Sequence, residues 1–191
     1  YDFHASVMSL PGILGTELSS IPADIPYVPV PPASTIDGHG ARFKVGLVWA
    51  GNPQNARDKA RSRKLAEFAP LASLADVAFF SLQVGQGADD PVPPGLNVTN
   101  LMPVVKDFYD TAADMAGLDL IVSVDSSSAH LAGAIGKPVW VLLDSVADWR
   151  WMSGREDTPW YPSMRLFRRE SDWPEVFARV GAAMAAFDPS R

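Results

Sequence analysis

The chain has 191 residues, of which 47% are hydrophobic, and its 16 basic and 22 acidic side chains give a formal net charge of -6 at pH 7. This length suits one folded domain with a substantial core, and the acidic balance argues against a broad nucleic-acid surface. No apolar run approaches the roughly 18 residues of a membrane span. Without cysteine there is neither a disulfide framework nor a thiolate metal site, which favours a reducing compartment. We therefore expect a cytoplasmic protein with no membrane span.

The first 42 residues differ in composition from the rest of the chain. Pro22–Pro32 contains five prolines, so this segment is expected to run extended with few ladder hydrogen bonds, as a linker. The preceding sequence HASVMSLPGILGT is too short to fold alone. We expect residues 1–42 to be the end of a missing amino-terminal lobe followed by a proline-rich linker, and residues 43–191 to form one domain.

From Lys44 onward, β-branched and apolar runs alternate with helical patterns. The predicted strands are Val45–Ala50, Val77–Leu82, Leu96–Asn100, Leu120–Val124, Pro138–Leu143 and Arg165–Phe167. The predicted helices carry an apolar stripe at Leu65, Phe68, Ala69 and Ala72, a cap at Asp107 before Phe108, Ala112, Met115 and Ala116, a short run over 127–135, and a final stripe at Trp173, Phe177, Val180 and Met184. Strands separated by such helices imply right-handed crossovers. The sequence thus predicts an α/β fold, a three-layer, doubly wound, Rossmann-like parallel sheet of about six strands.

The stretch IVSVDSSSAHLAGAIGKPVWVLL, residues 121–143, reads as buried strand, polar turn, short helix, tight turn and second buried strand. Its polar turn holds Asp125, Ser126, Ser127 and Ser128. In an open parallel sheet, ligands bind at the carboxyl ends of the strands, where a helix start offers free backbone N–H groups. Two interpretations stay open, because serine and aspartate are also ordinary helix caps.

A basic loop follows the first predicted strand and has the sequence GNPQNARDKARSRK. Gly51 frees the backbone there, and the cations of the loop are Arg57, Lys59, Arg61, Arg63 and Lys64. Arginine forks onto paired oxygens and lysine adds a point charge, which is the chemistry that a diphosphate requires. The alternative is a solvated loop, since neither GxGxxG nor GxxxxGK[ST] is present.

Two further loops are predicted at the same edge of the sheet. Gln83 and Gly85 follow the second strand and would present amide and backbone groups to a base or a ribose, although a plain turn explains them equally well. Lys106, Asp107, Asp110 and Thr111 surround a helix start, where Asp107 is favoured as a simple cap.

The segment between the last two predicted strands is rich in aromatic residues. It contains Trp149, Trp151, Trp160 and Tyr161, and we expect Trp151 and Trp160 to belong to the core. The alternative is that these rings stack on a nucleobase or a sugar, with Arg150 or Arg155 on the phosphate. His130 is the one histidine inside the α/β region, and the three histidines show no metal-ligand spacing. No nucleophile and base pair is visible, so the catalytic residues stay unassigned and no metal site is expected.

These motifs together carry a family resemblance. The stretches that carry this likeness are VGLVWAGNP, APLASL, FFSLQVGQG, DFYDTAADMAGLDLIVSVDSSSAHLAGAIGKPVWVLL and DWRWMSGREDTPWYPSMRLFRR. The chain is similar to the carboxyl-terminal half of bacterial glycosyltransferases that often follow tetratricopeptide repeats. Those proteins resemble the lipopolysaccharide heptosyltransferases and, more distantly, the O-linked N-acetylglucosamine transferases. The likeness covers about residues 43–169.

The resemblance implies one lobe of a two-lobed (GT-B) glycosyltransferase that holds a nucleotide-diphosphate sugar as donor substrate for metal-independent transfer, without a cofactor. The acceptor, a glycan, lipid or protein, and the catalytic base would belong to the amino-terminal lobe, with tetratricopeptide repeats as a further partner upstream. Carried over by position, the donor motif matches Asp125, Ser126, Ser127, Ser128 and His130. Arg61, Arg63 or Lys64 would take the place of the basic donor-phosphate residue.

Two other functions remain open at this stage. The same fold would serve a nucleotide-sugar epimerase or hydrolase, which would turn over the nucleotide-sugar without an acceptor. It would also serve a non-catalytic interaction domain that kept the sheet and lost the ligand.

Overall fold

The computed structural model describes residues 2–190, and its centre is one six-stranded sheet. The strands are β1 (Phe43–Val48), β2 (Val77–Ser81), β3 (Val98–Asn100), β4 (Leu120–Val124), β5 (Val139–Leu143) and β6 (Met164–Arg168). Their spatial order is β3-β2-β1-β4-β5-β6, and every neighbouring pair is parallel. The predicted α/β class with an all-parallel, Rossmann-like sheet is confirmed.

Helices cover both faces of the sheet and make three layers. The α-helices are α1 (Leu10–Ile13), α2 (Asp58–Arg61), α3 (Phe108–Ala116), α4 (Ser127–Ala134) and α5 (Trp173–Ala185). Shorter 3-10 helices are Val7–Ser9, Leu18–Ser20, Leu65–Ser73, Met102–Val104 and Trp149–Trp151. One core contains α5 and the 3-10 helix Leu65–Ser73, and the other contains α3 and α4. Within residues 2–190, no helix has both the length and the apolar character needed to cross a membrane.

The predicted amphipathic α-helix after the basic loop is wrong in type, because residues 65–73 form a 3-10 helix. Pro70 lies inside it and lacks the N–H that an α-helix would need there. A 3-10 helix repeats every three residues, so Leu65, Phe68 and Leu71 face the core. Ala69, expected on the buried face, is exposed.

Five of the six strands differ from prediction by one or two residues at one or both ends. At two of these ends, the backbone groups form hydrogen bonds outside the sheet. β1 ends at Val48 rather than at Ala50, since the N–H groups of Trp49 and Ala50 donate to the Gln83 side chain. β3 begins at Val98 rather than at Leu96, since the Leu96 N–H donates to the Pro93 carbonyl in a turn. Asp107 caps α3 as predicted, and its carboxylate accepts from the N–H of Tyr109 at 2.8 Å.

The proline-rich segment lies on the domain, over the helices of the second core. The N–H groups of Tyr27 and Val28 both donate to the Ala134 carbonyl at the end of α4. The Ser34 N–H donates to Ala113 in α3 at 2.9 Å, and Ile25 packs against the same core. The segment predicted as a linker therefore makes specific contacts with α3 and α4.

The aromatic loop before β6 divides between core and surface. Trp151 is fully buried, as predicted, and Trp160 is half-buried, with its indole N–H on the Arg150 carbonyl at 2.9 Å. Trp149 is 61% exposed. The loop thus covers the second core mainly through Trp151.

A 3-10 helix over residues 65–73 and an α-helix over the same residues would bury different side chains, so substitutions distinguish the two. Leu71→Ala removes a fully buried side chain and is expected to lower the free energy of unfolding by about 2–5 kcal/mol. Ala69→Gln, at an exposed position, is expected to change it by less than about 0.5 kcal/mol. Urea unfolding followed by circular dichroism measures both. A large loss in Ala69→Gln would indicate that this residue is buried.

Candidate functional site

A cleft of about 630 Å³ opens at the carboxyl ends of the central strands. The strand order reverses between β1 and β4, and the chain leaves such a switch point toward opposite faces of the sheet, so a crevice opens there. The cleft is lined by residues 50–53 after β1, residues 82–86 after β2, residues 105–108 and Thr111 at the start of α3, and residues 126–128 at the start of α4, together with Val48 and Arg61.

The amino terminus of α4 lies at this cleft with its first backbone groups uncapped by side chains. Ser126 is the N-cap residue in extended conformation, and its hydroxyl bonds to the Ser123 hydroxyl at 3.0 Å instead of capping the helix. Within residues 2–190, no acceptor is found for the N–H groups of Ser127 and Ser128, both of which line the cleft. The positive end of the helix dipole and free N–H groups thus lie at the cleft wall.

Arg61 is the cation of the basic loop that reaches the cleft. Its side chain is 19% exposed, and its Nη1 donates to the Asp125 carbonyl at 3.0 Å. A Cβ added at Gly51 would lie 2.7 Å from Arg61 Nη2, so the glycine at this position leaves room for the guanidinium. The structure therefore brings Gly51, Arg61 and the start of α4 together.

Arg63 and Lys64 lie outside the cleft lining, although the sequence placed them with Arg61. The Arg63 guanidinium stacks 4.3 Å above the Trp173 ring and donates to the Lys59 carbonyl at 3.3 Å. Lys64 is 70% exposed and lies 3.4 Å from the Asp90 carboxylate. Neither side chain is directed at the α4 terminus.

Gln83 lies at the floor of the cleft and fixes its walls. The Oε1 atom accepts the N–H groups of Trp49 and Ala50, each at 2.9 Å. The Nε2 atom donates to the carbonyls of Ala50, Val84 and Gln86. The side chain is 2% exposed, and its amide is engaged by the backbone of two loops. Gln83 therefore holds the loops after β1 and β2 in register.

Asp125 faces a second, smaller pocket of about 80 Å³ at the ends of β4 and β5. Arg61 lines both this pocket and the cleft, so its side chain is the wall between them. His130 lines neither cavity: its ring stacks on Trp151 at 5.0 Å, and its Nδ1 lies 3.1 Å from the Tyr161 hydroxyl. Burial lowers the pKa of His130, against the opposing effect of Asp125.

The cleft lining includes an aromatic residue, Phe108, that the sequence did not assign to the site. Phe108, predicted in the apolar stripe of α3, is 59% exposed and stands at the cleft rim. Lys106 is exposed at the same rim. No local signal marked Phe108 as a site residue, because it shares the period of the buried residues Ala112 and Met115 in the same helix.

The chain is similar in sequence to a longer curated protein. The chain is 30% identical over 164 residues to Protein FlbA of Caulobacter vibrioides, an alignment that covers 77% of this chain and 26% of that protein. The chain thus spans about a quarter of the length of the curated relative that it matches. No protein-family model matches the chain.

The packing of His130 predicts a dependence of stability on pH. Burial holds its pKa below the ordinary 6.5, so the unfolded chain binds this proton more readily than the folded chain does. Stability is therefore lost as pH falls through about 6.5 and below. We expect a smaller drop in melting temperature between pH 7.5 and 5 for His130→Asn than for the wild type.

The matched control is His4→Asn, at an exposed residue of the amino-terminal segment. It should keep the wild-type pH dependence. Equal drops for the wild type and for His130→Asn would contradict the assignment of this acid sensitivity to His130.

Proposed function

We propose that this chain is the donor-binding domain of a glycosyltransferase and that the cleft holds a nucleoside diphosphate sugar. The observation that carries the proposal is the convergence of the Arg61 guanidinium and the uncapped start of α4 on one cleft at the switch point of the sheet. Both groups offer N–H donors and positive potential, which suit a diphosphate. The chemistry of these residues supports the same ligand as the family resemblance does.

The diphosphate would lie between Arg61 and the N–H groups of Ser127 and Ser128. Both serines line the cleft, and their hydroxyls would add donors next to the backbone groups. The preorganised donors would stabilise the charge that accumulates on the diphosphate as it leaves. No step in this stabilisation draws on Arg63 or Lys64, whose side chains lie elsewhere.

The nucleoside would occupy the wider part of the cleft, toward the start of α3. Phe108 offers an exposed ring for stacking, and Val84 and Val105 add apolar contact. Backbone groups of Gly85 and Gln86 lie on the opposite loop. This distribution of an aromatic rim and backbone polar groups suits a flat heterocycle.

The sugar would lie on the other side of Arg61, toward the pocket that Asp125 lines. A carboxylate at that position accepts hydrogen bonds from sugar hydroxyls. In the transfer step, the bond between the anomeric carbon and the diphosphate oxygen breaks, an acceptor oxygen bonds to that carbon, and the diphosphate leaves with the electron pair. The base that removes the acceptor proton would come from outside this chain.

The proposal predicts that nucleoside diphosphates bind and that Arg61 dominates their affinity. Isothermal titration with UDP, ADP and GDP should give saturable binding to the wild-type chain for at least one of them. Arg61→Ala removes charge-assisted hydrogen bonds and should raise that Kd about 10- to 100-fold. Lys64→Ala removes an equal charge outside the cleft and should change it by less than about twofold. Absence of binding by every nucleotide would contradict the proposal.

The stacking role of Phe108 predicts a separate loss. Phe108→Ala should raise the Kd of the nucleotide that binds by about 5- to 10-fold through loss of ring contact. Tyr109→Ala, at a neighbouring ring that is 61% exposed and outside the cleft lining, is the matched control. Equal effects of the two substitutions would exclude stacking on Phe108.

A further inference from the structure

Asp58 is a buried carboxylate in the middle of the basic loop. The residue is 5% exposed, although the surrounding sequence, ARDKARSRK, is that of a solvated surface. Its oxygens accept three hydrogen bonds, from Ser62 Oγ at 2.7 Å, from Gln86 Nε2 at 2.9 Å and from Arg61 Nε at 3.3 Å. Burying a charge is costly unless it is paired and hydrogen-bonded, and here both conditions are met.

These contacts join the two loops that form the cleft walls. Ser62 Oγ, which donates to Asp58, accepts the Gly51 N–H at 2.8 Å. Gln86, whose side chain donates to Asp58 from the loop after β2, is itself held by Gln83. The Gln86 carbonyl accepts a hydrogen bond from Gln83 Nε2 at 2.7 Å. One carboxylate therefore connects the backbone after β1 with the loop after β2.

The same carboxylate fixes the orientation of Arg61. The Nε atom is held by Asp58 and the Nη1 atom by the Asp125 carbonyl. The Nη2 atom lies next to the space that a Cβ at Gly51 would fill. Of the five N–H donors of a guanidinium, these contacts use two. Within residues 2–190, no acceptor is found for Nη2, so donors remain for a ligand.

We propose that Asp58 is a positioning residue for diphosphate recognition, which acts by holding the Arg61 guanidinium at the wall of the cleft. The proposal rests on the proposed function, because it concerns the same site. Ser62 and Gln86 keep the carboxylate hydrogen-bonded when Arg61 turns part of its charge toward a ligand. The side chain itself lies outside the cleft lining, so Asp58 touches no substrate.

Positioning and simple charge predict opposite signs. Removing a negative charge near an anion site strengthens anion binding if charge alone matters. Removing a positioning carboxylate weakens anion binding, because Arg61 then samples other rotamers and loses preorganisation. The sign of the change in affinity therefore separates the two roles.

The test is a double-mutant cycle on the 191-residue chain with inorganic pyrophosphate and UDP as probes. Asp58→Ala should raise the Kd for both probes about 5- to 20-fold in the wild-type background. In the Arg61→Ala background it should change the Kd by less than about twofold, because the effect passes through Arg61. Asp90→Ala is the control: this carboxylate contacts Lys64 and the Leu65 N–H but not Arg61.

A second measurement needs no ligand and remains informative if Asp58→Ala unfolds. In 15N-edited NMR spectra, the Arg61 Nε–H signal, assigned by its loss in Arg61→Lys, should be protected from exchange in the wild type. Asp58→Asn removes the charge with little change in size, and Asp58→Glu keeps the charge but moves it by one methylene. Protection should fall in both variants and stay unchanged in Asp90→Ala.

Several results would overturn the proposal. They are tighter probe binding in Asp58→Ala, an equal loss in both backgrounds, or unchanged Arg61 protection in the Asp58 variants. If the wild type binds neither the probes nor any nucleoside diphosphate while Arg61 protection depends on Asp58, the proposed function fails but Asp58 still positions Arg61. If the wild type binds the probes and the Asp58 variants bind them equally well, the proposed function stands and the positioning role of Asp58 fails.

Discussion

The pairing of β1 with β4 determines what the cleft contains. These two strands are neighbours at the centre of the sheet, and the segments that follow them run to opposite faces. The loop after β1 carries Arg61, and the segment after β4 becomes α4, so a cation and a helix start meet across a gap that no strand fills. If β1 and β4 were separated by another strand, Arg61 could not reach the Asp125 carbonyl.

Polar side chains that are themselves buried maintain this geometry. Gln83 replaces the ladder partners that β1 loses after Val48, and Asp58 connects the basic loop to the loop after β2. Unpaired, these groups would be expensive to bury, whereas fully hydrogen-bonded they fix one arrangement of the loops. The proposed donor-binding role therefore depends on residues beneath the cleft as much as on Arg61, Ser127 and Ser128.

The sequence was sufficient for the sheet, because strands buried on both faces read as continuous apolar runs, as in β4 and β5. The sequence also predicted that Gly51, Arg61 and the start of α4 lie at one edge of the sheet. The helix type of residues 65–73 was predicted wrongly, because Pro70 favours a 3-10 helix there. Arg63 and Lys64 were grouped with Arg61 because the charge of a side chain does not indicate which way that side chain points.

Other features of the site depend on contacts between distant segments, which no local pattern records. Asp58 is buried only because Gln86 and Ser62 meet it there. His130 is turned from the cleft by Trp151 and Tyr161, which lie more than twenty residues later in the chain. Phe108 follows a cap and shares the period of a buried stripe, so periodicity placed it in the core.

The most direct test of a diphosphate site at the β1–β4 switch point is NMR mapping of backbone amides during titration with UDP, ADP or GDP. We expect the largest chemical-shift changes at the amides of Ser127, Ser128 and Gly51, which line the cleft, and smaller changes in β6 and α5. Changes confined to surfaces away from the cleft, or no saturable changes with any of the three, would contradict it.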